Sequence, residues 1–252
     1  MSFTNFFKYL IPVALFAGLP SLGLADSHGG LDPKDAVGIS FWIISIAMVA
    51  ATAFFFLESL RFSGKWRTSM VVGGLVTLVA AVHYFYMRDV WASGGGSPTV
   101  YRYVDWIVTV PLQMVEFYLI LAACTAVAGG VFWRLFLGSL VMLIAGYLGE
   151  AGMINATIGF VVGIAGWLYI LYEIFAGEAG KVSAADAPAS VQSAFNTMRW
   201  IVTIGWAIYP LGYFLGYLAG GTDDATMNLI YNIADVLNKI GFCLAVWACA
   251  SS

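Results

Sequence analysis

A lysine and an aspartate one helical turn apart are the residues of this chain best placed to do chemistry. Asp235 and Lys239 lie inside an apolar segment, 225–247, which is long enough for a membrane helix at about 20 residues per span. Residues four apart share a helix face. A charged amine in hydrocarbon costs roughly 3 kcal/mol or more, so such groups usually face a cavity or a transport path. The pair therefore indicates a functional site, and a structural ion pair between helices is the alternative.

A second set of polar residues shares one face of the third apolar segment. Asp105, Thr109 and Glu116 are separated by four and then seven residues. At about 100° per residue, eleven residues bring Glu116 back to within about 20° of Asp105, roughly 16 Å further along the axis. The two carboxyl groups are too far apart to share a proton directly, but they predict the order Glu116, Lys239, then Asp105 with Asp235. An acid, an amine and an acid in that order suit a proton relay; inter-helix hydrogen bonds are the alternative.

Several aromatic rings are predicted to surround the lysine. Trp206 and Tyr209 share a face of the sixth segment, Trp106 adjoins the first carboxylate, and Trp167 lies midway along the fifth segment. Such rings are usually packing residues, but they could also sandwich a planar, apolar ligand. A buried lysine held neutral can condense with an aldehyde, and the protonated product would need counter-ions, which the two aspartates could provide.

His83, in the second segment, has two possible roles. A lone histidine is often a packed core residue. It could also hydrogen-bond a carboxylate on the neighbouring third segment and alter its pKa. The residues alone leave both roles open.

The composition is that of a polytopic membrane protein. Of 252 residues, 61% are hydrophobic and 10% are charged, whereas soluble domains carry about 25% charge. The net charge of −3 and the lack of a basic tract argue against nucleic-acid binding. The three cysteines lie in or beside apolar segments, and no spacing suggests a metal site or a disulfide.

The chain divides into a leader and one helical domain. Residues 1–25 read as a secretory signal peptide, with Lys8 before an apolar stretch and a small-residue cleavage site ending at Ala25; an extra N-terminal helix is the alternative. Residues 26–252 are predicted to form an all-α, seven-transmembrane-helix bundle. The expected spans are 36–60, 70–91, 100–123, 130–149, 154–176, 191–219 and 225–250. Residues 177–189 are expected to form the one longer flexible loop.

The distribution of basic residues predicts the orientation. With the mature N-terminus outside, six lysines and arginines fall in inner loops and three in outer ones. The inner set is Arg61, Lys65, Arg67, Arg134, Lys181 and Arg199; the outer set is Lys34, Arg88 and Arg102. This bias predicts an outside N-terminus and a cytoplasmic C-terminus.

Three motifs resemble those of the microbial rhodopsins, most closely the proteorhodopsins. They are Arg102-Tyr103-Val104-Asp105-Trp106 with Thr109 and Glu116, Trp206-Ala207-Ile208-Tyr209-Pro210, and Asp235-Val236-Leu237-Asn238-Lys239. The resemblance covers all seven helices. It implies that Lys239 binds all-trans retinal as a protonated Schiff base.

The resemblance also implies a role for each matching residue. Asp105 would be the proton acceptor and counter-ion, Glu116 the proton donor, and Asp235 the second counter-ion. Arg102 would belong to the outer proton path, His83 would partner the acceptor, and Thr109 would accompany it. The expected retinal pocket consists of Trp106, Trp206, Tyr209, Gln113, Tyr84 and Trp167.

The colour of the absorbed light is predicted from Gln113. In the family, leucine at this position goes with green absorption and glutamine with blue, often with a slower photocycle. The resemblance therefore implies a blue-absorbing variant. It also implies a ring-shaped homo-oligomer in the lipid bilayer.

The leading hypothesis is a light-driven outward proton pump, and the main alternative is a retinal photosensor that signals to a partner protein. Glu116 favours the pump, because sensors need no carboxyl donor. Chloride pumps of the family normally lack a carboxylate at the position of Asp105. Sodium pumps carry a different set of three residues in the third helix. A transporter without a chromophore would not explain Lys239 among aromatic rings.

Overall fold

The computed structural model describes residues 31–221 and 223–252, and seven long apolar helices account for most of them. Their bounds are α1 Ala36–Arg61, α2 Gly64–Ala92, α3 Thr99–Ala122, α4 Gly129–Glu150, α5 Ala156–Asp186, α6 Ala189–Leu218 and α7 Asp224–Ala250. The predicted seven-helix membrane fold is confirmed. The expected signal peptide, 1–25, lies outside the described residues.

The helices form a closed bundle in which α3 is the central element. Consecutive helices pack against each other, and α7 also contacts α1 and α2, which closes the ring. In its most apolar 18-residue window, 67% of α3 is buried, against 22% of α6. Because α3 is the most enclosed helix, its polar side chains must find partners inside the protein.

The ends of the helices agree with the expected spans to within a few residues, except at the start of α2 and at the end of α5. Helix α2 begins at Gly64, six residues before the apolar run, because its first turns are polar and an apolar pattern does not include them. The connection between α2 and α3 is short, residues 93–98. Its Gly94 and Gly96 have φ angles of 74° and 71°, a region that residues with a side chain rarely adopt.

The expectation of a flexible loop at 177–189 is wrong. After an interruption at Ala176 and Gly177, a short helix, Glu178–Asp186, completes α5. The carboxylate of Glu173 accepts the backbone N–H of Ala179 at 3.1 Å, which satisfies a free donor of the first turn.

An ion cluster ties this short helix to α4. Arg134 of α4 donates to Glu173 at 2.9 Å and to Glu178 at 2.6 Å. The stretch is too polar to look like part of a membrane helix, and its order comes from these side chains rather than from an apolar face.

Two of the helices contain widened, π-helical turns. They are Ile201–Gly205 and Phe214–Leu218 in α6 and Val236–Gly241 in α7, which includes the lysine. Such turns are rare and are often found at functional sites.

One residue used for the orientation lies inside the protein. Arg102 is buried within α3 rather than in an outer loop, so the basic residues divide six to two. The excess of basic residues in the inner loops still predicts an outside N-terminus.

Candidate functional site

The structure brings Lys239 together with both predicted counter-ions. Its Nζ donates to Oδ2 of Asp105, 134 residues earlier in the chain, and to Oδ2 of Asp235 at 3.1 Å. All three side chains are almost fully buried. An amine between two carboxylates satisfies the charges without water, and it places a proton donor in direct contact with an acceptor.

The nitrogen of Lys239 lies at the level of Asp105 rather than midway between the two carboxyl groups of α3. A helical side chain leans toward the N-terminus of its own helix, which carries Nζ back to the level of Asp235. The predicted order from Glu116 through Lys239 to the two aspartates stays a prediction. The Glu116 carboxyl is left about 16 Å from that of Asp105, as estimated from the helical rise.

Two tyrosines hold Asp235 in place. Tyr84 donates to its Oδ2 at 2.7 Å and Tyr209 donates to its Oδ1 at 2.6 Å. Both oxygens are therefore engaged in fixed hydrogen bonds. Tyr84 is buried and does not line the cavity described below, but Nζ of Lys239 lies 6.0 Å from the centre of its ring. Its place in the retinal pocket stays a prediction.

Asp105 is less constrained than Asp235. Its Oδ1 is buried and accepts no hydrogen bond from the described residues. The hydroxyl of Thr109 donates instead to the backbone carbonyl of Asp105 at 3.0 Å. One oxygen of Asp105 is thus free to take a proton. Thr109 makes no hydrogen bond to the carboxylate of Asp105.

Arg102 is buried one turn from Asp105, on the side away from Glu116. Its Nη2 donates to Oδ1 of Asn228 at 2.7 Å and to Oδ1 of Asn232 at 2.9 Å. The guanidinium also lies over the ring of Tyr231 at 5.2 Å. Within the described residues its Nε and Nη1 have no hydrogen-bond partner, so the cation is held by neutral amides and can still donate on one side.

Glu116 occupies an apolar region on the other side of Lys239. The side chain is 1% exposed, and neither carboxyl oxygen has a partner among the described residues. Ser69 of α2 lies beside it. An isolated carboxyl in such surroundings is strongly disfavoured in its charged form, so the group is suited to holding a proton.

His83 does not form the direct bond to Asp105 that was expected of an acceptor partner. Its Nδ1 contacts the backbone carbonyl of Val79 at 2.8 Å, one turn earlier in α2. The helix offers this local acceptor, which competes with the carboxylate on α3.

An apolar cavity begins at Lys239 and runs between α3, α4, α5 and α6. Five of the expected pocket residues line it, namely Trp106, Trp206, Tyr209, Gln113 and Trp167. Trp106 packs edge-on against Tyr209, with ring centroids 5.0 Å apart. The indole of Trp167 donates to the backbone carbonyl of Val202 at 3.0 Å, which fixes the ring. The cavity is therefore walled by flat rings that are held in place.

The model of the family described as "Bacteriorhodopsin-like protein" matches residues 35–252. The chain belongs to the bacteriorhodopsin-like family. The blue-light absorbing proteorhodopsin of Gamma-proteobacterium Hot 75m4 is 52% identical over 242 residues, covering 95% of each chain. The green-light absorbing proteorhodopsin of Gamma-proteobacterium EBAC31A08 is 52% identical over 241 residues, 95% of this chain and 96% of that one.

A solved structure agrees with the model of this bacteriorhodopsin-like protein. The crystal structure of blue light-absorbing proteorhodopsin from Med12 is 51% identical, covers 86% of this chain and 98% of its own, and gives a TM-score of 0.74. Because the blue and green relatives are equally similar, overall identity does not decide between colours.

The sequence reasoning missed the asparagines of this bacteriorhodopsin-like protein. Asn228 and Asn232 hold Arg102, and Asn238 bonds to α6 next to the lysine. The signal was available in part, since residues 228, 232, 235 and 239 follow a helical spacing and form one polar stripe.

A further carboxyl in the wall of the cavity was also missed. Glu150 accepts the hydroxyl of Tyr103 at 2.6 Å and lines the cavity. It is the last residue of α4, a position that suggested an ordinary helix end at the membrane surface.

Proposed function

We propose that this protein is a light-driven outward proton pump with all-trans retinal attached to Lys239. The observation that carries the proposal is the position of Nζ, held between two buried aspartates at one end of a ring-lined cavity. The similarity to proteorhodopsins over nearly the whole chain supports it.

The residues present fit retinal. The cavity is apolar, and its one amine belongs to Lys239 among the lining residues that are described. Trp106 and Trp206, both nearly buried, supply faces for a flat polyene. When bound, retinal supplies a light-driven isomerisation that changes the orientation and the proton affinity of the nitrogen at Nζ.

Asp105 is the acceptor in the first proton transfer. It contacts Nζ directly, and its Oδ1 has no other partner. Asp235 contacts Nζ as well, but two tyrosine hydroxyls occupy its oxygens. Because those bonds favour the charged carboxylate, Asp235 remains the fixed counter-ion while Asp105 takes the proton. Arg102 lies beyond Asp105 and stabilises negative charge on the path to the outside.

Glu116 returns a proton to Nζ from the opposite side. Its carboxyl is isolated in an apolar region, which disfavours the charged form. Glu116 therefore keeps its proton until the deprotonated nitrogen of Lys239 accepts it. The distance of about 16 Å between the carboxyls of α3 requires intermediate carriers for that transfer. Acceptor and donor on opposite sides of one nitrogen give the transport its direction.

The membrane orientation follows from this direction and from the basic residues. With the N-terminus outside, Asp105 faces the outer side and Glu116 faces the cytoplasm of a bacterial inner membrane. The signal peptide 1–25 and assembly into a homo-oligomeric ring are part of the same proposal, on the strength of the family resemblance.

Blue absorption is proposed from Gln113. Its side chain lines the cavity near Lys239 and is 1% exposed. A polar amide so close to the chromophore changes the electrostatic field that sets its colour. Gln113→Leu is expected to move the absorption maximum toward green.

His83 is expected to influence the titration of Asp105 through its charge. A pH titration of the absorption maximum reports the protonation of the acceptor, because Asp105 is the counter-ion in contact with Nζ. The titration midpoint should differ between the wild-type protein and His83→Asn, since the family resemblance makes His83 the partner of the acceptor. The shift should be small, well below the effect of a direct ion pair, because His83 bonds to Val79. Superimposable titration curves would refute the coupling.

The proposal is tested in a suspension of cells that express the chain. After addition of all-trans retinal, blue-green illumination of unbuffered cells should acidify the medium, and a protonophore should abolish the change. Colour without acidification would support a photosensor instead. Absence of colour would remove the retinal assignment.

A further inference from the structure

The side chain of Asn238 joins α6 to α7 directly beside Lys239. Its Nδ2 donates to the backbone carbonyl of Gly205 at 3.0 Å and to the hydroxyl of Tyr209 at 3.1 Å. Gly205 belongs to the widened turn Ile201–Gly205, and Asn238 itself belongs to the widened turn Val236–Gly241. One amide therefore connects the two irregular segments of the helices that flank the cavity.

Gly205 has no side chain, and this leaves the space that the side chain of Asn238 occupies. A Cβ atom at position 205 would lie 1.9 Å from Oδ1 of Asn238, far inside any possible contact. The asparagine is itself 3% exposed and fills the space that a larger residue on α6 would need. The two positions are matched to each other across the helix interface.

Gln113 attaches α3 to the same point. Its Nε2 donates to the backbone carbonyl of Asn238 at 2.6 Å. This carbonyl belongs to the residue immediately before Lys239, so the bond restrains the backbone that carries the lysine. Gln113, Asn238 and Gly205 together form a three-helix contact, which we name the Asn238 clamp.

The Asn238 clamp lies between the proposed donor and the lysine nitrogen. Gln113 is three residues from Glu116 on α3, or about 4.5 Å along the axis. Nζ of Lys239 points the other way, toward Asp105. A proton moving from Glu116 to Nζ must therefore pass the level at which α3, α6 and α7 are joined.

We propose that Asn238 is a positioning residue whose clamp with Gln113 and Gly205 holds α3, α6 and α7 closed on the Glu116 side of Lys239, and so limits the rate at which Nζ regains its proton. The inference rests on the proposed function and adds a rate-setting element to it. It gives Gln113 a mechanical role through the backbone of α7, separate from its polarity near the chromophore.

The first test is kinetic and compares the two proton transfers by flash photolysis. Asn238→Ala and Gln113→Leu should each speed the return of the proton to Nζ about fivefold, as expected when one or two hydrogen bonds are lost. Loss of the proton to Asp105 should change less than about twofold, because Tyr209 keeps its bond to Asp235. Leu237→Ala is the matched control: it lies in the same widened turn but is 62% exposed, and its rates should equal those of the wild type.

The second test needs no retinal and uses the reciprocity between Asn238 and Gly205. Hydrogen–deuterium exchange of Ile201–Gly205 and Val236–Gly241 is measured in the retinal-free protein. Gly205→Ala alone should raise exchange in both segments at least about tenfold, since the new methyl displaces Asn238. In an Asn238→Ala background the same change should have little further effect.

The outcomes of these tests distinguish a failure of the Asn238 clamp from a failure of the proposed pump function. If the effects of Gly205→Ala and Asn238→Ala are simply additive, or if Leu237→Ala accelerates the cycle as much as Asn238→Ala, the clamp is refuted. If the wild-type protein forms no pigment, the proposed function fails, while the exchange data still decide whether the three residues act as a unit.

Discussion

Replacing Lys239 with alanine is expected to abolish pigment formation completely. The side chain of Lys239 supplies the amine in the cavity, and Nζ lies where a bound aldehyde would have to meet it. Alanine removes that nucleophile, so no covalent attachment to retinal can form. The absorbance of the purified variant in the visible region, after incubation with all-trans retinal, should fall to the background of untreated protein.

The controls for this variant must separate chemistry from folding. Loss of the cation leaves Asp105 and Asp235 facing each other, and breaking a buried ion pair costs about 3–5 kcal/mol. Lys239→Arg keeps a positive charge but cannot condense with an aldehyde, because the guanidinium stays protonated; it should fold and remain colourless. Lys181→Ala, at an exposed site on the short helix, should colour normally. Covalently bound retinal in Lys239→Ala would contradict the attachment site.

Glu116→Gln should preserve colour and slow the return of the proton to Nζ about 100-fold. The carboxyl lies well away from the Asp105–Lys239 contact, so its loss should leave the pigment unchanged. A positioned proton donor contributes typically 100-fold or more to a transfer, and glutamine cannot supply a proton. Flash photolysis at the wavelength of the deprotonated pigment measures the effect.

The pH dependence of Glu116→Gln gives a sharper readout than the rate alone. Without an internal donor, the proton must come from bulk water, whose proton concentration falls tenfold for each unit of pH. The rate in the variant should therefore fall about tenfold per unit as the pH rises, while the wild-type rate stays nearly flat near neutrality. Glu178→Gln, which alters only the ion pair with Arg134, should behave like the wild type. If the deprotonated pigment decays at the same rate in Glu116→Gln as in the wild type, Glu116 is not the proton donor.

Most of the fold was predictable from the sequence because membrane helices are set by local composition. Each apolar run had the length of one span, and the ends of α3 and α4 differ from expectation by one residue. The convergence of Lys239 with Asp105 and Asp235 was also predictable, since few charges lie in the apolar segments and each must find a partner there.

Other features depend on contacts that no local pattern encodes. The short helix Glu178–Asp186 is stabilised by Arg134 from another span. Tyr84 reads as one more ring near the pocket, yet its hydroxyl is bonded to Asp235.

The Asn238 clamp was hidden for a related reason. The widened turn of α7 shifts the helical register near Lys239, and a regular 3.6-residue period does not describe that shift. The bond from Gln113 to a backbone carbonyl has no signature in residue types.

The direct test of proton pumping is a light-induced current from the purified, retinal-loaded protein in a planar membrane of known protein orientation. We expect a current that carries positive charge from the Glu116 side to the Asp105 side. Its size should change with an imposed pH gradient and stay the same when sodium or chloride is replaced. A current that follows sodium or chloride, or none under light that the pigment absorbs, would contradict a proton pump.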